Sequence, residues 1–242
     1  MLRYLLLLAS VLFAAAASAA QPDPPPGNYV IQGDRGTLEI RKDAQHNLIF
    51  AIQTIGSNCH TCDLSGIIRK GVGSTLDDEP AFRCEVSFVK EGDGISVIPI
   101  AEEGCRSHCG ARASFDGDYH RPPPSCTDAG RQKQHEKFLG LYRARRYAEA
   151  AGVLDTLAAQ CTNFMNDNEM DRLRNDLALS RYHNGEFAQC VKILDLTIAG
   201  DIKNEQELKD TLPPCEFLNY LEIAKATWFN KNMCVKALTR KP

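Results

Sequence analysis

The chain has 242 residues, 28 basic against 31 acidic, and a formal net charge of −3. That balance excludes the basic surplus on one face that nucleic-acid binding needs. The length suits two modest domains. Ten cysteines are too many for chance in a chain of this size and make the redox compartment the first question.

The N-terminus answers it. Arg3 precedes an apolar run from Tyr4 to Ala16, and Ala17-Ser18-Ala19 fits the small-x-small cleavage rule. Residues 1–20 therefore read as a secretory signal peptide. The run is too short for a spanning helix of roughly 20 residues, and no later stretch is apolar enough to be one, so no transmembrane segment is expected in the mature chain. Export, most readily to a periplasm, favours disulfides over free thiols.

Residues 21–120 read as strands. Leu38 and Ile40 alternate with polar neighbours, and "NLIFAIQTIG" is apolar and β-branched. Cys62, Leu64, Gly66 and Ile68 share a face at period two. Cys84, Val86 and Phe88 lead through a turn at Glu91-Gly92-Asp93-Gly94 to Ile95 and Val97. Short strands with Gly/Asp turns predict a small antiparallel barrel or sandwich. Residues 121–130, with Pro122-Pro123-Pro124, read as an extended linker. From 131 to 242 the period becomes helical, with three expected helix pairs, the second turning at Asn184-Gly185 and the third following Pro213-Pro214. The fold class expected is thus α+β in separate domains, a disulfide-braced β-domain followed by helical hairpins.

Two resemblances follow from these residues. Ala178, Tyr182, Gly185, Phe187 and Cys190 make a hairpin that resembles a tetratricopeptide unit. Tyr147 and Ala150 repeat its last two roles, and Cys234 repeats them weakly. The spacing of Ala150, Cys190 and Cys234 is longer than that family's period and the trailing proline is missing. The resemblance implies a solenoid with a concave surface for protein or peptide partners. In the strand half, Tyr29 to Cys126 is similar to a Cys-rich module of exported proteobacterial proteins, some linked to lysozyme inhibition. The most specific match is Cys105-x-x-x-Cys109-Gly110-Ala111-Arg112-Ala113-Ser114-Phe115-Asp116-Gly117-x-Tyr119. That resemblance implies a partner among cell-wall-acting enzymes.

Six cysteines lie in the strand half and four in the helical half. A helix of on the order of 20 Å separates Cys161 from Cys190, beyond the roughly 7 Å a bridge allows between Cα atoms. An up-down array of hairpins therefore predicts Cys161–Cys215 and Cys190–Cys234, contributing about 3–4 kcal/mol each. Inward alternation on neighbouring strands predicts Cys62–Cys84, with Cys59, Cys105, Cys109 and Cys126 otherwise paired.

The stretch "SNCHTCDLSG" is the first candidate for chemistry. Haem attachment needs histidine after the second cysteine, and Asp63 stands there. A thioredoxin-like centre needs its first cysteine at a helix start, whereas Cys62 begins a strand pattern. Zinc held by Cys59, Cys62, Cys105 and Cys109, with His60 or His108 in reserve, has workable spacing but conflicts with export. His120 beside Asp116 and Asp118 is the one acid–histidine cluster of note, and it falls at a solvated turn. No catalytic residue, cofactor or metal is expected. The reading is an exported protein-binding module of the cell envelope that inhibits or chaperones a cell-wall-acting enzyme. The alternatives are an accessory part of an envelope or secretion complex, or a Cys/His metal or redox protein.

Overall fold

The computed structural model describes residues 22–77 and 79–240; the expected export signal lies outside them. Eight strands follow one another around a closed antiparallel barrel: β1 Gly27–Ile31, β2 Gly36–Lys42, β3 Leu48–Ile55, β4 Thr61–Arg69, β5 Val72–Thr75, β6 Glu85–Glu91, β7 Gly94–Pro99 and β8 Gly117–His120. Period-two alternation builds it. Leu38 faces Ile52 across β2 and β3, and Ile52 faces Leu64 across β3 and β4, all buried. The Lys70-Gly71 link between β4 and β5 has positive φ at both residues, as a two-residue hairpin turn requires. Closure comes from β1 and β8, where Val30 pairs with His120 and Ile31 with Tyr119.

An eight-stranded barrel is just wide enough to be filled by side chains, and this one is. The rings of Phe50 and Phe88 meet edge-on with centroids 5.2 Å apart. Space for them comes from Gly73, where a Cβ would lie 2.6 Å from Phe88 and 2.7 Å from Phe50. The β-domain is a packed scaffold rather than a ligand container.

Between β7 and β8 lies the short helix α1, Glu102–Arg106. The rest of the chain is helical: α2 Asp128–Arg143, α3 Tyr147–Cys161, α4 Asp167–His183, α5 Phe187–Leu194, α6 Glu205–Thr211 and α7 Pro214–Arg240. Thr127 caps α2 through the Gly130 N–H, and Asn166 with Glu169 forms a capping box on α4. Among the described residues no helix is long and apolar enough to cross a membrane.

Helices α2–α3 and α4–α5 form two hairpins whose turns are copies of each other. Arg146 N–H donates to Leu141 O and Arg145 N–H to Tyr142 O; forty residues on, Glu186 N–H donates to Arg181 O and Gly185 N–H to Tyr182 O. Both are Schellman closures with a left-handed residue at the same place, Gly185 at φ 79° and Arg145 at φ 59°. Arginine is strained there and glycine is not. Arg145→Gly is expected to raise stability by about 0.5–1 kcal/mol, read as a higher urea midpoint with the disulfides intact; an unchanged or lower midpoint would refute the strain.

The expected architecture of separate domains with a tetratricopeptide-like hairpin domain is overturned. The third helix pair does not exist: Pro214 to Arg240 is one continuous helix of 27 residues, because no glycine or proline interrupts it and Asn230 turns inward to donate to Asn175 Oδ1 at 2.9 Å. A loop and the short α6 stand between α5 and α7, so the hairpin period ends. The strand half is a closed barrel, not a sandwich, and it is tied to the helices. Cys59 is bridged to Cys215 with Cα atoms 5.9 Å apart. Gly33 N–H donates to Asn163 O at 2.9 Å, and Asn58 N–H to Glu216 Oε1 at 2.9 Å. The proline stretch carries a single 3-10 turn, Pro124–Cys126, whose buried Cys126 is bridged to Cys161.

Candidate binding groove between the hairpins

In α2, Asp128, Arg131 and His135 recur at i, i+3 and i+7. In α4, Glu169, Arg172 and Asp176 do the same. Each set lies on one helix face, and the two faces look at each other across α3. Between them is a groove of about 420 Å³ with an apolar floor of Leu154 and Leu157 from α3, Leu173 from α4 and Met165 from the preceding loop.

Two rungs cross it. Arg131 Nη2 donates to Glu169 Oε1 at 3.2 Å, and His135 Nε2 lies 3.3 Å from Asp176 Oδ2, about one helical turn along. Burial pushes the Asp176 carboxyl above its usual range, and His135 pulls it partly back. One end of the groove is rigid: the Cys126–Cys161 bridge joins the approach to α2 with the end of α3 at a Cα separation of 5.3 Å. Arg131 also donates there to the carbonyls of Cys126 and Phe164. Toward the other end runs a chain of rings. Phe138 meets Tyr142 at 5.6 Å, Tyr142 meets Tyr147 at 5.3 Å, and Tyr147 stacks on His183 at 4.8 Å.

Arg131 also links the two halves of the chain. Its Nη2 reaches Asp34, on the β1–β2 turn, at 3.3 Å and Asp128 at 2.7 Å. Burial, and then the nearby Glu169 carboxylate, raise the Asp34 carboxyl to about 6 despite the guanidinium.

The residues singled out in the sequence are placed differently. Cys62 is bridged to Cys109 and Cys84 to Cys105, at Cα separations of 4.1 and 4.3 Å. The expected Cys62–Cys84 bridge fails because β5 intervenes between β4 and β6; both side chains point inward, but not at each other. The expected Cys161–Cys215 bridge fails because α7 begins against the barrel loop rather than beside α3. Cys190 is bridged to Cys234, joining α5 to α7. Among the described residues no cysteine is free.

The four sulfurs considered for zinc thus sit in three different bridges, and among the described residues no cluster of three or more His, Cys, Asp or Glu side chains is arranged to hold a metal. Cys59 and Cys62 have separate partners, so the Cys-x-x-Cys pair is not a dithiol centre. His60 is half-buried beside Gly110, and His108 Nε2 lies 2.9 Å from Phe82 O. Asp116, Asp118 and His120 are exposed on and beside β8, where Asp116 accepts from Ser114. The segment that carries the resemblance to exported modules, Cys105 to Asp116, lines a 390 Å³ cleft at one mouth of the barrel.

Sequence reasoning missed Arg131, His135 and Asp176. Their i, i+3/i+4 spacing is the ordinary spacing of a solvated helix face, and the floor leucines carry the same signal as any core residue. No protein-family model matches the chain, and no curated protein or solved structure matches it either.

Proposed function

We propose that the protein is an exported, non-enzymatic binding module of the cell envelope that holds a segment of a protein partner in the groove between α2 and α4. The observation that carries this reading is the groove itself: an apolar floor under a rim bearing both signs of charge. Such a site suits a segment with two apolar anchors flanked by polar residues. Five disulfides support an oxidising compartment. The resemblance of the strand half to exported inhibitor-type modules favours a cell-wall-acting enzyme as the partner, inhibited or chaperoned by this chain. The filled barrel then serves as the platform that fixes the groove.

A photo-crosslinking residue at Gln132, on the groove rim, is expected to form a protein adduct in intact exporting cells, while the same residue at Lys42 on the barrel forms none. Arg172→Glu in the Gln132 background should cut adduct yield about tenfold, the worth of roughly 1.4 kcal/mol at a charged rim. Equal labelling from both positions, or a yield indifferent to Arg172→Glu, would rule the groove out as the docking site.

A further inference from the structure

Among the five bridges, Cys59–Cys215 stands apart. Of the other eight cysteines seven are buried and Cys109 is half-buried, bridged to the buried Cys62; only in the Cys59–Cys215 pair are both members half-buried. Cys59 lines a 460 Å³ cleft between the barrel and the helices, bordered by Arg35, Gly56, Glu216 and Asn219. The Asn219 side-chain amide lies 3.5 Å from the sulfurs of both Cys59 and Cys215. Cys215 is the second residue of the 27-residue helix α7, at the positive end of the helix dipole, which stabilises an anion; its own N–H donates to Asn58 Oδ1 at 3.1 Å. Cys59 and its neighbour Asn58 are both at positive φ, 55° and 54°.

We infer that Cys59–Cys215 is a redox-exchangeable bridge, opened through the cleft by a dithiol reductant, that couples the thiol state of the compartment to the joint between barrel and helices. The attacking thiolate reaches Cys59 Sγ from the cleft, forms a mixed disulfide with it and expels Cys215 as a thiolate. The second thiol of the reductant then attacks its own sulfur in that mixed disulfide. It leaves as a cyclic or intramolecular disulfide, and Cys59 takes up the proton as a thiol. The protein gains two electrons and the dithiol loses two.

The site favours this direction because the group that departs is the one at the helix start, and a lower-pKa thiol leaves faster; the Asn219 amide, equidistant from the two sulfurs, serves either thiolate. The other bridges with a sulfur near a cleft, Cys62–Cys109 and Cys84–Cys105, would have to expel Cys62 or Cys84 into the apolar barrel interior, where a thiolate is unfavourable. Opening removes the disulfide that joins the barrel loop to α7 and leaves the polypeptide link through Pro122-Pro123-Pro124. What remains besides is the Asn58 side chain and backbone on the start of α7, the Gly33–Asn163 bond and the Arg131–Asp34 pair.

The test is timed reduction of the folded chain by dithiothreitol without denaturant, with alkylation and peptide mapping at each point. Cys59 and Cys215 should be labelled together at least tenfold faster than any other pair. Asn219→Ala should slow that pair several-fold and leave the other four unchanged. In the chain so reduced, Cys215 should alkylate with a pH midpoint below the ordinary thiol value of about 8.5 and below that of Cys59. Another pair opening first, all five opening together, or a Cys215 midpoint no lower than that of Cys59 would each overturn the proposal, whether or not Asn219→Ala folds well.

Discussion

Asp171→Ala is expected to cost about 3–4 kcal/mol. Asp171 is fully buried on α4. One carboxylate oxygen accepts from Tyr220 Oη at 2.6 Å and from the Ile198 N–H at 2.8 Å; the other accepts from Arg174 Nη1 at 2.7 Å. Tyr220 in turn accepts from the Ala199 N–H, and Arg174 also donates to Leu196 O. One side chain therefore sets α4, the loop after α5 and α7 in register. Truncation strands the buried Tyr220 hydroxyl and the part-buried Ile198 N–H at about 1–3 kcal/mol each, besides the half-exposed arginine. Burial, and then the donated bond to Asp171, hold the Tyr220 phenol above its ordinary range, so it stays a donor at any working pH. Asp171→Asn keeps the shape but turns an –NH₂ toward one of the donors, and should cost roughly half as much. Urea unfolding with the disulfides intact is the measurement. An Asp171→Ala midpoint corresponding to a loss under about 1 kcal/mol would show that the network is dispensable.

This network also explains why α7 needs no third hairpin. Cys215 and Cys234 staple it near its two ends, to the barrel loop and to α5. The intervening turns are held by polar contacts to α4: Tyr220 to Asp171, Thr227 to Asn175 and Asn230 to Asn175. None of these pairings has a periodic signature. Asn230 and Thr227 read as surface residues or turn formers in the sequence, and only their partners on α4 reveal them as interior. The strands were far more legible, because one-sided burial writes itself as alternation in β2, β3, β4, β6 and β7. The two strands that complete the barrel were not. Val72–Thr75 contains only one large apolar residue, and its Gly73 is small because Phe50 and Phe88 fill the space. Gly117–His120 reads as a polar approach to the prolines, although Tyr119 is buried. Missing β5 made Cys62 and Cys84 seem adjacent, and so one overlooked strand misassigned two bridges. The groove stayed hidden for a different reason: its rim charges become a site only when α2 and α4 are brought face to face by α3.

Arg131→Ala is expected to cost about 3 kcal/mol at pH 7, the range for removing one partner of a desolvated ion cluster. Arg131 is only 13% exposed and serves Asp34, Asp128, Glu169 and two backbone carbonyls at once. Without it, Asp34 and Glu169 face each other with no cation between them. The pH dependence identifies the cause. The Asp34 carboxyl sits at about 6 in the folded chain against 3.8 when unfolded. The folded state therefore binds the proton more tightly, and stability rises as pH falls from about 6 toward 4, by on the order of 1 kcal/mol once solvent screening is allowed for. In Arg131→Ala the repulsion is stronger, so that rise should be larger and begin at higher pH, and the deficit relative to the parent chain should shrink between pH 7 and 5. Asp34→Asn should flatten the slope in both backgrounds. Arg131→Lys, which restores charge but reaches fewer acceptors from one nitrogen, should recover the pH profile better than the stability. A deficit of Arg131→Ala that stays constant from pH 7 to 5 would mean that the lost carbonyl contacts, not the carboxylates, account for the cost.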